Sequence, residues 1–410
     1  MIEFSLPENS QMPLKIGVIY MGKFPPQIMT SAADRRVREI IRGINAQPDV
    51  ELELWVAKRK GDPDIIQHEG ITIRYFGGAS RTLIGTFYGR LQFWLDILAY
   101  NKKNRPNWVL LYSIRIDGFL PAWLLRCSGT KIAAEFCDLR SVGSSQNTIK
   151  DRYESFLNRL DEIFIPRVTD LNIVISRYLE NHVKKHAPKT KTHRLPILVD
   201  ESLFRPVESA KEIMRERYGL EETAFLVTYL GGTWRHKGLA YLLEGFAVFV
   251  KSNQNARLLI TGRIIKNNAD HDDIEEISKK LNIYDRLILP GFVPNEDVAL
   301  FYSRTNVLVL PHLNTQFAVA ALPTKLAEYS ITGKPIIATR VGDVPDYFED
   351  GKDMLLVESE HADSIADALK RIANDTEFAK RLGSAARSVA EKYFFAEKAL
   401  QNIVKTMKKM

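Results

Sequence analysis

Cysteine is scarce in this 410-residue sequence, and long apolar runs are missing from it. Two cysteines, Cys127 and Cys137, cannot form a disulfide framework, so they favour a reducing, cytoplasmic environment. No stretch reaches about 18 uninterrupted apolar residues, and the first ten residues contain two acids and no apolar core. The sequence therefore predicts neither a membrane-spanning helix nor a secretion signal.

Several motifs of metal and covalent chemistry are also missing. The eight histidines include one His-x3-His spacing, at His182 and His186, but there is no Cys-x2-Cys to complete a ligand set, so no zinc site is predicted. Neither a Gly-x-Ser-x-Gly elbow nor a phosphate-binding Gly-Lys-Ser/Thr loop occurs. The absence of Gly-x-Gly-x-x-Gly argues against a dinucleotide-dependent dehydrogenase.

Basic residues outnumber acidic ones in the first half of the chain but not in the second half. Residues 1–200 hold 29 Lys and Arg against 21 Asp and Glu, whereas the whole chain carries a formal charge of +7. A basic first half suits anionic lipid headgroups or a phosphorylated acceptor, although a solvated surface explains it as well. Nucleic acid is not expected as a partner, because no groove-reading or interleaved aromatic motif accompanies the charge.

Short β-rich apolar runs alternate with helical patterns along the chain, which is typical of parallel sheets covered by helices. The first series begins at residues 15–20 and ends at 172–176, and the second begins at 225–230 and ends at 354–357. Two series in a chain of this length predict two doubly wound, Rossmann-like α/β domains.

The join between these domains is predicted in residues 197–209, where Asp200 and Pro206 lie among other polar residues. We therefore expect domains at residues 1–200 and 201–390.

A proline-started helix follows the fourth strand of the second series. Pro323 suits the first helical position, because its missing N–H would be unpaired there, and Gly333 suits the stop. The N–H groups of Thr324, Lys325 and Leu326 would then point beyond the helix start, with the positive end of the helix dipole behind them. Such a helix start is an anion site that suits a diphosphate.

Glu328 lies one turn after Thr324 on the same face of this helix. A carboxylate there can accept both vicinal hydroxyls of a ribose while the helix start holds the phosphates. A solvated helix carboxylate is the alternative interpretation.

The segment that reads GGTWRHKG over residues 231–238 directly follows the first strand of the second series. Glycine lets the backbone pass close to a ligand, and Arg235 and Lys237 can neutralise a diphosphate. A solvated basic loop is the alternative.

The order of these features resembles the donor-sugar segment of the retaining nucleotide-sugar glycosyltransferases of family 4, glycosyl transferases group 1. The resemblance is specific over residues 225–393. It implies the GT-B fold, in which two Rossmann-like doubly wound domains face a cleft. It also implies that the C-terminal helix, here about residues 391–410, crosses back onto the N-terminal domain.

The resemblance further implies roles for individual residues. Lys237 and Arg235 correspond to donor-phosphate ligands and Glu328 to the ribose ligand, so these three are the candidate catalytic residues. The Gly-Phe-Val turn at residues 291–293 looks like the family's nucleobase-contacting loop. The candidate donor-binding residues are Gly232, Thr233, Arg235, Lys237, Arg263, Phe292, Val293, Thr324, Lys325, Leu326 and Glu328.

Three features depart from the family pattern. Thr233 occupies the place of the family's phosphate-binding Arg, and residues 22–26 replace its glycine-rich loop after the first strand. The third departure concerns the sugar contact. The family's first glutamate, which touches the transferred sugar, lies eight residues before the second, and Ala320 occupies that place here. The nearest polar candidates for the sugar contact are Asn314, Thr315 and Gln316.

The first domain is expected to bind the acceptor, and it offers three candidates. Asp138 follows the fifth strand, Arg35 belongs to an arginine-rich helix, and Lys23 lies in the loop after the first strand. A loop cap for Asp138 and a solvated helix face for the arginines are the alternatives.

A long apolar helix lies between the third and fourth strands of the first series. Five residues recur at helical spacing and predict one apolar face: Leu83, Phe87, Leu91, Trp94 and Leu98. The basic residues that follow suit an anionic membrane surface, and core packing is the competing explanation for the aromatics.

The sequence thus predicts a retaining glycosyltransferase that moves a sugar from a nucleoside diphosphate sugar to a glycan, lipid-linked or other acceptor. Cell-surface polysaccharide or glycolipid synthesis is the expected setting, in the cytoplasm, with a peripheral position on the inner face of the membrane as an option. No metal or other cofactor is expected, because cationic groups would stabilise the leaving diphosphate. Two alternatives are a nucleotide-sugar epimerase or phosphorylase-like enzyme and, since the first glutamate is missing, a non-catalytic nucleotide-sugar-binding protein.

Overall fold

The computed structural model describes residues 12–22, 32–77, 83–112, 118–139, 141, 148–265, 268 and 270–410. The chain divides into two compact units. The first unit comprises the described residues up to Ile175 together with Leu179–Leu195 and Ala396–Met410, and the second comprises Ser176–Tyr178 and Pro196–Phe395.

The strands are β1 (Leu14–Tyr20), β2 (Val50–Ala57), β3 (Ile65–His68), β4 (Ile71–Phe76), β5 (Trp108–Tyr112), β6 (Lys131–Phe136), β7 (Leu171–Val174), β8 (Lys191–Arg194), β9 (Phe225–Tyr229), β10 (Ala256–Thr261), β11 (Leu287–Gly291), β12 (Val307–Leu310), β13 (Ile336–Thr339) and β14 (Leu355–Val357).

The helices are α1 (Ala32–Asn45), α2 (Leu83–Asn104), α3 (Phe119–Cys127), α4 (Ile149–Val168), α5 (Arg177–His186), α6 (Ala210–Tyr218), α7 (Leu239–Phe249), α8 (Ile274–Lys280), α9 (Asn295–Arg304), α10 (Gln316–Ala320), α11 (Thr324–Ile331), α12 (Val344–Tyr347), α13 (Ala362–Asn374), α14 (Thr376–Tyr393) and α15 (Ala396–Lys409).

The first unit contains an eight-stranded sheet in the order β3-β4-β2-β1-β5-β6-β7-β8. Strand β3 is antiparallel to β4, and the other neighbours run parallel. The second unit contains a six-stranded sheet in the order β11-β10-β9-β12-β13-β14, with every neighbouring pair parallel. The prediction of two doubly wound α/β domains is therefore confirmed.

Helix α15 returns to the first unit and packs against α1. Gly43 of α1 makes this approach close, because a Cβ there would lie 2.5 Å from the carbonyl oxygen of Ala396. The Trp108 indole N–H donates to the carbonyl of Met407 at 3.1 Å, and the Gln47 amide donates to that of Glu397 at 2.9 Å. The prediction of a C-terminal helix that joins the N-terminal domain is confirmed.

Helices α2, α3 and α4 cover one face of the first sheet and share one hydrophobic core with it. The buried face of α2 consists of Phe93, Trp94 and Ile97, whereas Leu91 is exposed. The predicted apolar face is therefore wrong at Leu91, and the side chains of Leu83 and Phe87 lie outside the described part of the chain. The helix is apolar on more than one side, so packing against the sheet selects the stripe that is buried.

Within the described ranges, no helix is both long enough and apolar enough to cross a bilayer.

Candidate donor site in the second unit

The second sheet reverses its strand order between β9 and β12. The chain proceeds outward from β9 through β10 to β11, and then from β12 through β13 to β14 on the other side. In doubly wound sheets, ligands bind where the order reverses, beyond the carboxyl ends of the strands. The loops after β9 and β12, residues 230–238 and 311–323, lie at this point because those two strands are parallel neighbours.

These two loops are in direct contact. The N–H of Leu313 donates to the carbonyl oxygen of His236 at 3.0 Å. Gly238 has a φ of +71°, and a Cβ at this position would lie 1.9 Å from the carbonyl oxygen of Pro311. Glycine is thus required at residue 238 both by its left-handed backbone and by the lack of space.

Lys237 lies at the end of a 3₁₀ turn, Arg235–Lys237, beside this contact. Burial lowers the pKa of its ammonium group to about 8. No carboxylate of the described residues pairs with it, which is unusual for a largely desolvated cation. Arg235 is exposed by comparison, and the carboxylate of Asp272 interacts with its charge.

Two neutral histidines adjoin Lys237. Burial lowers the pKa of His236 to about 4, with a further contribution from the charge of Lys237. Burial also holds the pKa of His312 well below its ordinary value, and Lys237 and His236 act in the same direction. Sequence reasoning treated histidines only as metal ligands and missed both, although His236 lies directly before Lys237.

The loop of residues 231–238 is held in place by hydrogen bonds to the residues around it. The hydroxyl of Tyr229 donates to the carbonyl of Gly232 at 2.9 Å. Thr233 is fully buried, with its hydroxyl 3.2 Å from Nδ1 of His271 and its carbonyl accepting from the N–H of Asp272 at 2.9 Å. The side chain of Thr233 therefore supports the loop, and Gly232 supplies its exposed backbone.

Helix α11 begins one residue later than predicted. Pro323 precedes the first helical residue instead of occupying it. The N–H of Leu326 donates to the carbonyl of Pro323 at 3.0 Å, so the prediction that this N–H is free is wrong. No described group accepts from the N–H of Thr324 or Lys325, and the helix carries no side-chain cap. Two donors and the helix dipole thus face out from the start of α11.

Glu328 is held in place by two donors. The hydroxyl of Tyr302 donates to Oε2 of Glu328 at 3.0 Å, and the ammonium of Lys325 bonds to the same oxygen. The Glu328 side chain is 16% exposed. Because both bonds use Oε2, the described residues leave Oε1 available to a ligand hydroxyl. Tyr302 was not predicted, since nothing in the local sequence places helix α9 against α11.

Ala320 ends the short helix α10 and is fully buried. Its carbonyl accepts a hydrogen bond from the hydroxyl of Ser176 at 2.7 Å. Of the three polar candidates nearby, the hydroxyl of Thr315 caps α10 and the amide of Gln316 donates to the hydroxyl of Tyr178. Asn314 is exposed, and its backbone N–H donates to the hydroxyl of Ser359 at 3.0 Å.

The loops after β10 and β11 lie side by side at the same edge of the sheet. The N–H of Gly262 donates to the carbonyl of Gly291 at 2.8 Å. Arg263 is exposed, Phe292 is 85% exposed and Val293 is half-buried. An aromatic ring this exposed is available to a flat ligand.

Two of the three candidate acceptor residues of the first unit lie in the described part of the chain. Asp138 is exposed after β6, and Arg35 is half-exposed on α1. Lys23 lies outside the described residues.

The arginines of α1 do not form a common anion site. Arg36 is buried and pairs with Glu135, with Nε and Oε1 2.5 Å apart, and Arg38 pairs with Glu69 at 3.1 Å. Successive helical residues point in different directions, so Arg36 and Arg38 meet carboxylates in different parts of the unit.

Comparison with known proteins agrees with this arrangement. Residues 210–389 match the family described as glycosyl transferases group 1. The alpha-D-kanosaminyltransferase of Streptomyces kanamyceticus is 24% identical over 328 residues, which are 78% of this chain and 81% of that protein. The D-inositol 3-phosphate glycosyltransferase of Corynebacterium glutamicum is 26% identical over 312 residues, 74% of this chain and 73% of that protein.

Solved structures share the fold over nearly the whole chain. Sucrose-phosphate synthase from Thermosynechococcus elongatus superposes with a TM-score of 0.71 at 22% identity, over 96% of this chain and 98% of its own. HepE from Anabaena in complex with UDP-glucose has a TM-score of 0.68 at 13% identity, over 97% and 100%.

The two doubly wound units and the returning C-terminal helix define a protein of the GT-B class. Residues 210–389 of the second unit carry the similarity to the group 1 glycosyltransferases, and both relatives named above are glycosyltransferases.

Proposed function

We propose that this glycosyltransferase moves a glycosyl group from a nucleoside diphosphate sugar to its acceptor with retention at the anomeric carbon. The observation that carries the proposal is Lys237, a largely buried ammonium group without a carboxylate partner in the described chain. It lies at the point where the second sheet reverses its strand order. A cation kept there without a counter-ion is well suited to an anionic ligand.

The difficult step of the reaction is departure of the nucleoside diphosphate, which concentrates negative charge on the β-phosphate. Lys237 and the N–H groups of Thr324 and Lys325 would stabilise that charge, with exposed Arg235 as an outer cation. We infer that no metal or other cofactor is required for this stabilisation. If the acceptor attacks on the face that the diphosphate leaves, the departing phosphate can take the acceptor's proton, so no dedicated base is needed.

The nucleoside would extend from this diphosphate along the sheet edge. Oε1 of Glu328 is placed to accept from the ribose hydroxyls, while Tyr302 and Lys325 hold Oε2. Phe292 and Val293, with Arg263 beside them, would contact the base. The binding of UDP-glucose by HepE, which has the same fold, supports a nucleotide-sugar donor.

The acceptor would bind to the first unit, where Asp138 and Arg35 are exposed or half-exposed. The two relatives act, by their names, in different settings, so we propose a glycan, a lipid-linked sugar or a similar hydroxyl-bearing acceptor. A cytoplasmic enzyme, peripheral on the inner face of the membrane, would reach such acceptors in polysaccharide or glycolipid synthesis.

A thermal-shift screen of UDP, GDP, ADP and CMP, each with its common sugars, tests the donor site. A ligand that binds only the folded state raises the melting temperature. We expect one nucleotide series to stabilise the wild-type protein, and Lys237→Met to remove that shift and to reduce transfer by about 10²-fold or more. Lys334→Met, which replaces another lysine whose pKa is lowered by burial, is the matched control.

Normal donor binding and transfer in folded Lys237→Met would overturn the assignment of the phosphate site. Tight donor binding by the wild type without transfer to any acceptor would instead favour a non-catalytic binding protein. Loss of transfer on chelation, restored by a divalent cation, would contradict the metal-independent mechanism.

A further inference from the structure

Helices α2, α3 and α4 present a large apolar surface to solvent. Their inward residues, among them Trp94, Ala122 and Ile165, share one core with the first sheet. We call the set of large hydrophobic side chains that they expose the outer helical face. It consists of Tyr88, Leu91, Leu95, Leu120, Trp123, Leu124, Tyr153, Phe156 and Phe164.

The exposed fraction of these side chains ranges from 36% for Phe164 to 64% for Tyr88. The three helices lie next to one another, and Phe119 of α3 packs edge-on against Phe164 of α4 with ring centroids 6.1 Å apart. Contiguous exposed apolar surface on this scale is rare in soluble proteins unless it binds a partner.

The exposed charges of the same helices are all positive. In α4 from residue 151 onward, every exposed residue is an arginine or an aromatic residue: Arg152, Tyr153, Phe156, Arg159, Phe164 and Arg167. Across the described side chains of α2, α3 and α4, the exposed charged residues are seven bases and no acid: Arg90, Lys102, Lys103, Arg126, Arg152, Arg159 and Arg167.

Three of the four acids of α4 are buried or bonded within the chain. Asp151 closes a capping box with Thr148, and both carboxylate oxygens of Glu162 accept from Ser141. Asp161 is buried, and the fourth acid, Glu154, is half-buried. The acids of α4 are therefore less exposed than its arginines Arg152, Arg159 and Arg167.

We propose that the outer helical face docks on an anionic lipid bilayer. Aromatic and leucine side chains would enter the headgroup and acyl boundary, while the arginines and lysines keep their charged ends at the phosphate level. Anionic headgroups would complement these bases, of which Arg126 is also paired with the partly buried Asp170 at 2.9 Å.

Other occupants fit this surface less well. A second copy of the chain would bring two basic surfaces together, which is repulsive. A nucleic acid would use the arginines and aromatic rings, but Leu91, Leu95, Leu120 and Leu124 offer it no stacking surface. An acidic protein partner would bind in the absence of lipid, and the test below separates that case.

This inference rests on the peripheral membrane position proposed above and names its surface and its lipid, whereas it does not depend on whether the second unit binds or transfers a sugar. Failure of either can be recognised separately: nucleotide-induced thermal shift reports on the second unit, and vesicle binding reports on the outer helical face.

Flotation of the full chain with vesicles tests the proposal, using phosphatidylcholine with and without phosphatidylglycerol. We expect binding only to the anionic vesicles, weakened by high salt. Each arginine near an anionic surface contributes about fivefold to partitioning, so Arg152→Gln/Arg159→Gln should weaken binding by about tenfold or more. Trp123→Ser/Phe156→Ser should weaken it as well, by removing apolar side chains that insert.

Two matched controls alter other surfaces in the same way. Arg215→Gln/Arg217→Gln changes exposed arginines of α6, and Ile65→Ser/Tyr284→Ser changes exposed apolar residues elsewhere. Both controls should float like the wild type. The proposal is overturned if the wild type does not float with anionic vesicles at low salt, if it floats equally with neutral ones, or if the four substitutions on the outer helical face have no more effect than the controls.

Discussion

The carbonyl oxygen of His236 accepts a hydrogen bond of 3.0 Å from the N–H of Leu313, and this bond joins the loop after β9 to the loop after β12. Next to it, the Cα of Gly238 lies so close to Pro311 that a Cβ would come within 1.9 Å of the carbonyl oxygen. The two loops that frame the proposed diphosphate site are therefore held together by a backbone contact that no side chain can enter.

Gly238→Ala should disrupt both the contact and donor binding. The left-handed backbone alone costs an alanine about 1–2 kcal/mol, and the clash with Pro311 adds to this. We expect the melting temperature to fall by several degrees and the nucleotide-induced shift to disappear.

Gly351 provides the control for this change. It has a φ of +73°, close to that of Gly238, but a Cβ there meets nothing within 4 Å. Gly351→Ala should therefore show only the backbone penalty and retain the nucleotide shift. Equal losses in the two variants would contradict the claim that loop contact, and not backbone strain, matters at Gly238.

Lys237 should make stability and donor binding depend on pH. Its pKa is about 8 in the folded chain against 10.5 for an ordinary lysine, because burial disfavours the charged form. Between these two values the unfolded chain binds more protons than the folded one, so Lys237 contributes a rise in stability as pH increases from about 8 to 10.5. Lys237→Met should flatten this part of the stability profile.

A bound diphosphate should raise the pKa of Lys237 again. Its negative charge favours the ammonium form, so donor binding above pH 8 should be accompanied by proton uptake. Titration calorimetry in buffers of different ionisation enthalpy measures this uptake. We expect the uptake to vanish in Lys237→Met and to persist in Lys334→Met. Uptake that is unchanged in Lys237→Met would place the anion elsewhere.

Glu328 should recognise the ribose and not the phosphates. Glu328→Gln removes a charged acceptor from Oε1, and a hydrogen bond to a charged group is typically worth about 1.5–3 kcal/mol, so nucleoside diphosphate affinity should fall by about tenfold or more. Tyr302→Phe, which only positions the carboxylate, should have a smaller effect.

The analogue that lacks both ribose hydroxyls serves as the internal control. For the wild type, the 2′,3′-dideoxy nucleoside diphosphate should bind about as weakly as the natural ligand binds to Glu328→Gln. The substitution should then have little further effect on the analogue. A full additional loss with the dideoxy ligand would show that Glu328 contacts another part of the donor.

The sequence predicted those features of the fold that depend on local pattern. The buried parallel strands are continuous apolar runs and were recognised, whereas β3 and β8 were not, since their residues are largely exposed at sheet edges. At the site, the cation at Lys237 and the carboxylate at Glu328 follow from motif spacing. The burial of His312 and the hydrogen bond from Tyr302 depend on contacts between distant loops and helices, which no local pattern reveals.

The partners of the arginines on α1 also depend on contacts that no local sequence pattern reveals, and they lead to a further prediction. Arg36 and Glu135 form a buried pair, with side chains 4% and 0% exposed. Arg36→Met would leave the carboxylate of Glu135 buried without its partner, and such a change typically costs about 3–5 kcal/mol. We expect a clear decrease in the urea midpoint of the first unit.

Arg38→Met is the matched control, because Arg38 is paired with Glu69 at side chains 30% and 47% exposed. An exposed pair is typically worth less than about 1 kcal/mol, so its midpoint should barely change. Arg36→Met/Glu135→Leu, which removes both charges, should recover most of the loss, since the penalty comes from the unpaired carboxylate and not from the missing attraction. If the double variant were as unstable as Arg36→Met, the guanidinium would instead be holding the backbone through its hydrogen bond to the carbonyl of Leu195 at 3.0 Å.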